Sequence, residues 1–142
     1  VRTMYKVVVD YAPSVTDNAV VTEGITASIE NIIGGRDTAF SVFLKNDAGN
    51  VFGGIQAFLD TESIYIDVLW VAKSLQKQGY GTKLLLAAEQ EAIQNGCMYS
   101  LVDTWDFQAE VFYLKNGYER IGEIKNYWHG HAKIFLRKNV KP

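Results

Sequence analysis

The chain has a single cysteine, two prolines, no surplus of positive charge, and no apolar run near the ~20 residues that a membrane helix requires. One thiol, Cys97, excludes an intramolecular disulfide, so nothing asks for an oxidising compartment. Fourteen Lys and Arg against sixteen Asp and Glu give a net charge of −2. That argues against the concentrated basic face needed to coat nucleic-acid phosphates. Residues 1–4 contain no signal-peptide apolar region, and the first methionine is Met4. The expectation is a cytoplasmic protein with neither membrane nor nucleic acid as partner.

What is present describes an ordinary folded chain. Of its 142 residues 48% are hydrophobic and 21% charged, enough for a core without metal or disulfide. No linker, repeat or low-complexity stretch interrupts it, so residues 1–142 read as one domain. The β-branched run 4–10 reads as a first strand, closed by Pro13. Residues 16–33 open on the capping types Thr16, Asp17 and Asn18 and place Val21, Ile25, Ile29 and Ile32 on one helical face. Gly34-Gly35 stops that helix.

Residues 38–46 and 51–60 alternate around a four-residue turn and predict a hairpin, and 63–71 is the most β-rich run of the chain. The period then turns helical over 81–95, with Leu84, Leu85, Ala88 and Ala92 apolar and Gly96 as the stop. A strand at 99–103, a helix at 108–116 and strands at 118–125 and 133–138 complete the order β-α-β-β-β-α-β-α-β-β. The expected class is α/β (α+β): a mixed central sheet of about six to seven strands flanked by helices.

The loop Gln76-Lys77-Gln78-Gly79-Tyr80-Gly81 follows the richest strand and opens the next helix. Glycines at a helix start gather free backbone N–H groups at the positive end of the macrodipole, which makes a pyrophosphate cradle. No Gly-Lys-Ser/Thr follows, so it is not a Walker loop, and the glycines are too few for a dinucleotide fingerprint. Taken alone, the loop is equally well a simple strand-to-helix connection.

Its Q-x-x-G-x-G pattern, however, resembles the acetyl-CoA motif of the GNAT N-acetyltransferases. Ala109-Glu110-Val111-Phe112-Tyr113-Leu114-Lys115-Asn116-Gly117-Tyr118 is similar to the family's A-x-x-F-Y-x-K-x-G-[FY] signature. The likeness covers residues 37–138 and points to small stand-alone bacterial members.

The resemblance implies acetyl-CoA as co-substrate and no metal. It implies that the strands before and after the first cofactor helix part to take the pantetheine arm, against the backbone of Leu69, Trp70 and Val71. Gln76 and the N–H groups of Gln78, Gly79, Tyr80, Gly81 and Thr82 are expected at the pyrophosphate. Tyr113 holds the family's general-acid position, directed at the departing thiolate.

For the general base Asp67 is the first candidate, since alternation sets it beside Tyr65 and Leu69 unless a bulge intervenes. His131 is the second. Asp103 either faces the cleft or caps the next helix, and capping is the expected task of Asp106. Cys97 reads as core.

Tyr65, Asp103, Trp105 and Tyr127, with Trp70 and Trp128, surround the expected acceptor. Aromatics with carboxylates suit a cationic amine. The expected acceptor is a small cationic molecule; the alternatives are a protein amine, or a silent acyl-CoA-binding module without turnover. A homodimer is allowed by the resemblance and demanded by no feature.

Overall fold

Ser14 starts the first helix: its hydroxyl accepts the Asp17 N–H at 3.0 Å, ahead of the expected Thr16-Asp17-Asn18 cap. In the computed structural model, which describes residues 2–141, the chain separates into two units, one ending at Arg36 and the other beginning at Asp37. The first contains α1 (Val15–Ile33), stopped by Gly34 in the left-handed conformation (φ 86°) with its N–H on Glu30 O at 2.8 Å. Arg36 folds back on Glu23, at 2.7 Å, and on Glu30.

The stripe Val21, Ile25, Ile29 and Ile32 is helical as expected, yet every one of these side chains is exposed. Residues 2–10 form no ladder, so the expected first strand is absent. A β-branched run states how well side chains suit a sheet; it becomes a strand only where another backbone takes its N–H and C=O groups.

From Asp37 onward the described residues build six strands: β1 (Thr38–Lys45), β2 (Val51–Leu59), β3 (Ser63–Val71), β4 (Tyr99–Trp105), β5 (Glu119–Trp128) and β6 (His131–Asn139). Between them lie a 3-10 turn (Lys73–Leu75), α2 (Tyr80–Gln94) and α3 (Glu110–Lys115). The sheet order is β1-β2-β3-β4-β6-β5, and only the β3–β4 pair is parallel, as a crossover through α2 requires. Leu84, Leu85, Ala88 and Ala92 of α2 join Ile55, Ala57, Ile64 and Ile66 in the core. Cys97 is buried there, its thiol on Asp60 O at 3.3 Å. No helix among the described residues is long and apolar enough to cross a membrane.

Two irregularities prepare the site. In the β2–β3 ladder Gln56 faces Val68 and Ala57 faces Ile66, so Asp67 is an extra residue and β3 bulges there. Beyond the bulge Leu69 and Val71 turn to the core, while Val68 and Trp70 are exposed on the other side. The alternation that grouped Leu69 with Tyr65 and Asp67 is thereby corrected. The second irregularity is a parting. β3 and β4 pair only from Ser63–Tyr99 to Ile66–Val102, after which β3 keeps to β2 and β4 keeps to β6.

Strand ends also run further than expected, which moves Trp105, Tyr127 and Trp128 from loops into strands. The β5–β6 hairpin turns on His129 (φ 49°) and Gly130 (φ 79°), two left-handed residues of the kind that tight hairpins use.

Candidate functional site

Gly79 stands at φ 86° as the N-cap of α2, and Lys77 before it at φ 62°. This double left-handed turn swings the chain from the 3-10 segment into the helix. It leaves the N–H groups of Gln78, Gly79, Tyr80, Gly81 and Thr82 without a hydrogen bond among the described residues. Lys83 N–H is the first to be satisfied, on Gly79 O at 3.1 Å. The Gln76 side chain donates to Val71 O at 3.0 Å and fastens the loop to the end of β3. Gln78 instead donates to Ser74 O at 3.3 Å.

A cleft of about 270 Å³ lies over the turn, lined by Val71, Gln76, Lys77, Gly79, Tyr80, Gly81, Thr82 and Phe112. A row of unmet donors at a helix start, with Lys77 beside it, fits a diphosphate. Gln78 is not among the residues lining this cleft, and its side chain is taken up by Ser74 O.

The second cavity, about 600 Å³, opens where β3 and β4 part. β3 lends it Tyr65, Asp67 and Leu69; β4 lends Asp103, Thr104 and Trp105; α3 lends Tyr113; β6 lends Lys133. Tyr113 is only 4% exposed. Its hydroxyl makes no hydrogen bond to a described residue, although every fully buried side-chain nitrogen or oxygen among them has a partner. That hydroxyl therefore belongs to the cavity surface. Behind it the ring packs edge-on against Tyr118 at 5.4 Å.

Tyr118 in turn donates to the buried Glu89 at 2.8 Å and lies 2.7 Å from Ser100 Oγ, while Lys138 reaches the other Glu89 oxygen at 2.7 Å. This satisfied network fixes the floor under Tyr113.

Asp67 is exposed, and its carboxylate has no hydrogen bond or ion pair to a described residue. Asp103 faces the cavity and is doubly engaged: it accepts the Tyr65 hydroxyl, and Lys133 Nζ lies 3.0 Å from its Oδ1. It does not cap α3. No side chain caps that helix; the Thr104 hydroxyl accepts the N–H of Ala109, the residue before it, at 3.3 Å.

Asp106 is no cap either. It takes the Ala132 N–H at 2.8 Å and pairs with His131 Nδ1 at 2.8 Å, contacts that hold its carboxyl below the usual range. His131, 47% exposed at its side chain, lies outside both clefts against the edge of Phe107. Tyr127 lines neither cleft but packs on Trp105 at 5.5 Å; Trp70 lines neither cleft and is exposed on the same face of the sheet as Val68. Sequence reasoning passed over Gln108 and Lys133. The only signal for Lys133 is its register, directly opposite Trp105 in the β4–β6 ladder.

Burial, and next the charge of Asp103, pushes the Tyr113 phenol above its usual value. Burial is also the main cause for Tyr118 and Tyr65, which are raised too. Phenols raised by folding keep their full contribution to stability below the unfolded value, ~10, and lose it as pH rises through the folded one. The unfolded chain then binds fewer protons than the folded one, so stability falls with pH. Urea midpoints should hold up to about pH 10 and decline above it. A flat profile would mean that these phenols ionise as easily folded as unfolded.

Comparison with known proteins agrees with this geometry. The family model described as "Acetyltransferase (GNAT) family" matches residues 4–118. Blasticidin-S acetyltransferase of Streptomyces morookaense is 31% identical over 102 residues, 71% of this chain and 75% of that protein. The crystal structure of an acetyltransferase from Bacillus cereus superposes with a TM-score of 0.78 at 29% identity, covering 96% of this chain and 99% of that one. An aminoglycoside 6'-N-acetyltransferase complexed with coenzyme A shares the fold, with a TM-score of 0.67 at 19% identity over 81% of this chain and 79% of its own.

Proposed function

The chain belongs to the GNAT acetyltransferase family, and from that premise we propose that it moves an acetyl group from acetyl-CoA to a primary amine of a small molecule. The observation that carries the reading is the unpartnered Tyr113 hydroxyl, which shares one cavity with the unpaired carboxylate of Asp67 at the point where the sheet divides. When bound, acetyl-CoA supplies a thioester already activated for acyl transfer. The N–H groups from Gln78 to Thr82 hold its diphosphate, and the backbone of Leu69 to Val71, freed from β4, lines its arm. These strand groups also offer donors to a polarised carbonyl.

Asp67 receives the proton that the ammonium must shed before its nitrogen can attack, directly or through water. Tyr113 holds its own proton until sulfur needs it. Its raised pKa keeps the phenol loaded throughout the working pH range. His131, bound to Asp106 and away from the cavity, has no part in this scheme. Thus one bond forms from nitrogen to the acetyl carbon and the carbon–sulfur bond breaks. Asp67 takes the first of the two protons that nitrogen loses, Tyr113 gives its own to sulfur, and the second nitrogen proton, shed as the amide forms, restores the phenol.

The small-molecule class is favoured by a cavity of about 600 Å³ and by the likeness to the blasticidin-S acetyltransferase of Streptomyces morookaense. Incubation with acetyl-CoA and a panel of amines, following free thiol, tests the reading. Release that depends on the amine is expected. Coenzyme A binding with no release on any amine would instead mark a silent acyl-CoA-binding module.

A further inference from the structure

Lys133 occupies the place where aromatics and a carboxylate would otherwise receive a substrate cation. Its Nζ lies 4.2 Å over the Trp105 ring and 5.8 Å from that of Tyr127, and 3.0 Å from Asp103. Cation–π contact and charge pairing are thus already taken, by the protein itself. The ammonium is held in place, with its side chain 21% exposed and its stem fixed by the β4–β6 ladder. It has three donors and one carboxylate for them among the described residues, which leaves N–H groups free for the cavity it lines.

The negative charges of the cavity are unequal. Asp103 is answered twice, by Lys133 and by the Tyr65 hydroxyl, whereas Asp67 is answered by no described residue. An incoming ammonium therefore finds its counter-charge at Asp67. A second cationic centre would meet Lys133 and be repelled.

We propose that Lys133 is the specificity-determining residue of this pocket and that the acceptor carries a carboxylate beside its amine. This rests on the acetyl-transfer reading above and narrows it, away from polycations. A single ammonium matches a monoanion. A phosphate dianion would need more donors than the pocket offers beside Asp67 and Asp103.

The test uses probes that differ only in the carboxylate: phenylalanine with phenethylamine, and lysine with cadaverine. Each is measured on the coenzyme A-loaded protein by calorimetry and in turnover by thiol release. The acid-bearing member should bind better by about 10–10²-fold, the range for a hydrogen-bonded charge. The ratio should fall to near one in Lys133→Met, through KM more than kcat, and Lys133→Arg should restore it.

Equal or better binding of the decarboxylated members, no binding by the acid-bearing ones, or a ratio unmoved in Lys133→Met would each overturn the anchor. Thiol release without carboxylate preference removes the anchor and leaves acetyl transfer standing. Carboxylate-dependent binding with no thiol release on any amine does the reverse.

Discussion

Tyr113→Phe is expected to lower kcat by about 10–10³-fold while leaving the acetyl-CoA dissociation constant unchanged. The substitution removes one oxygen and keeps the ring, so the packing on Phe112 and Tyr118 remains. Since the hydroxyl bonds to no described residue, its loss leaves no buried partner unsatisfied there. Stability should therefore move little, and a fall in rate can be read as lost chemistry. Steady-state kinetics beside calorimetric titration separate the two. A kcat equal to the parent's would take the phenol out of the mechanism and leave solvent to protonate the sulfur.

Gly79→Val should raise the dissociation constant of coenzyme A by on the order of 10²-fold, as several aligned donors to a charged group are lost together. Gly79 has φ 86°, a conformation that a β-branched residue adopts only with strain, and no protein atom lies near its would-be Cβ. Hence backbone direction, not crowding, is what the substitution disturbs. Gly79→Asn, which tolerates that conformation better, should keep much of the affinity. Gly81→Val is also expected to weaken binding but is less clean, because its Cβ would meet the Phe112 ring at 3.3 Å. An unaltered constant in a folded Gly79→Val protein would place the diphosphate elsewhere.

The elements from Thr38 to Gln94 were legible because they have a strong period and marked stops; α2 lies within one residue of its expected bounds. The left-handed turn before α2 was marked in the sequence by Gly79, and its reading as a diphosphate cradle rested on the second motif at 109–118 as well as on the glutamine and glycines of the loop. The first strand was misread because residues 4–10 carry the propensity but no ladder. The side of β3 on which Leu69 falls depends on the Asp67 bulge, a fact of pairing two residues against one that β3 alone does not carry.

Trp105, Tyr127 and Trp128 looked like loop residues because their strands continue past the recognisable alternation, through Asn126 at φ 51° and a break in register. Lys133 escaped notice for a related reason. A lysine in a terminal strand reads as solvated, and only the ladder that sets it opposite Trp105 turns it inward. Chemistry tied to backbone shape was visible; chemistry assembled by strand register was not.

The early parting of β3 from β4 means that the sheet is hydrogen-bonded as one fabric only over its lower half. Above that seam two rims of amide groups face a gap and depend on whatever enters to complete them. A visitor with amides of its own, spaced along a flexible tether, would act there as a suture. On the proposed reading, the length and polarity of the donor would be recognised by main-chain atoms, which no side-chain substitution on the outer surface can easily erase.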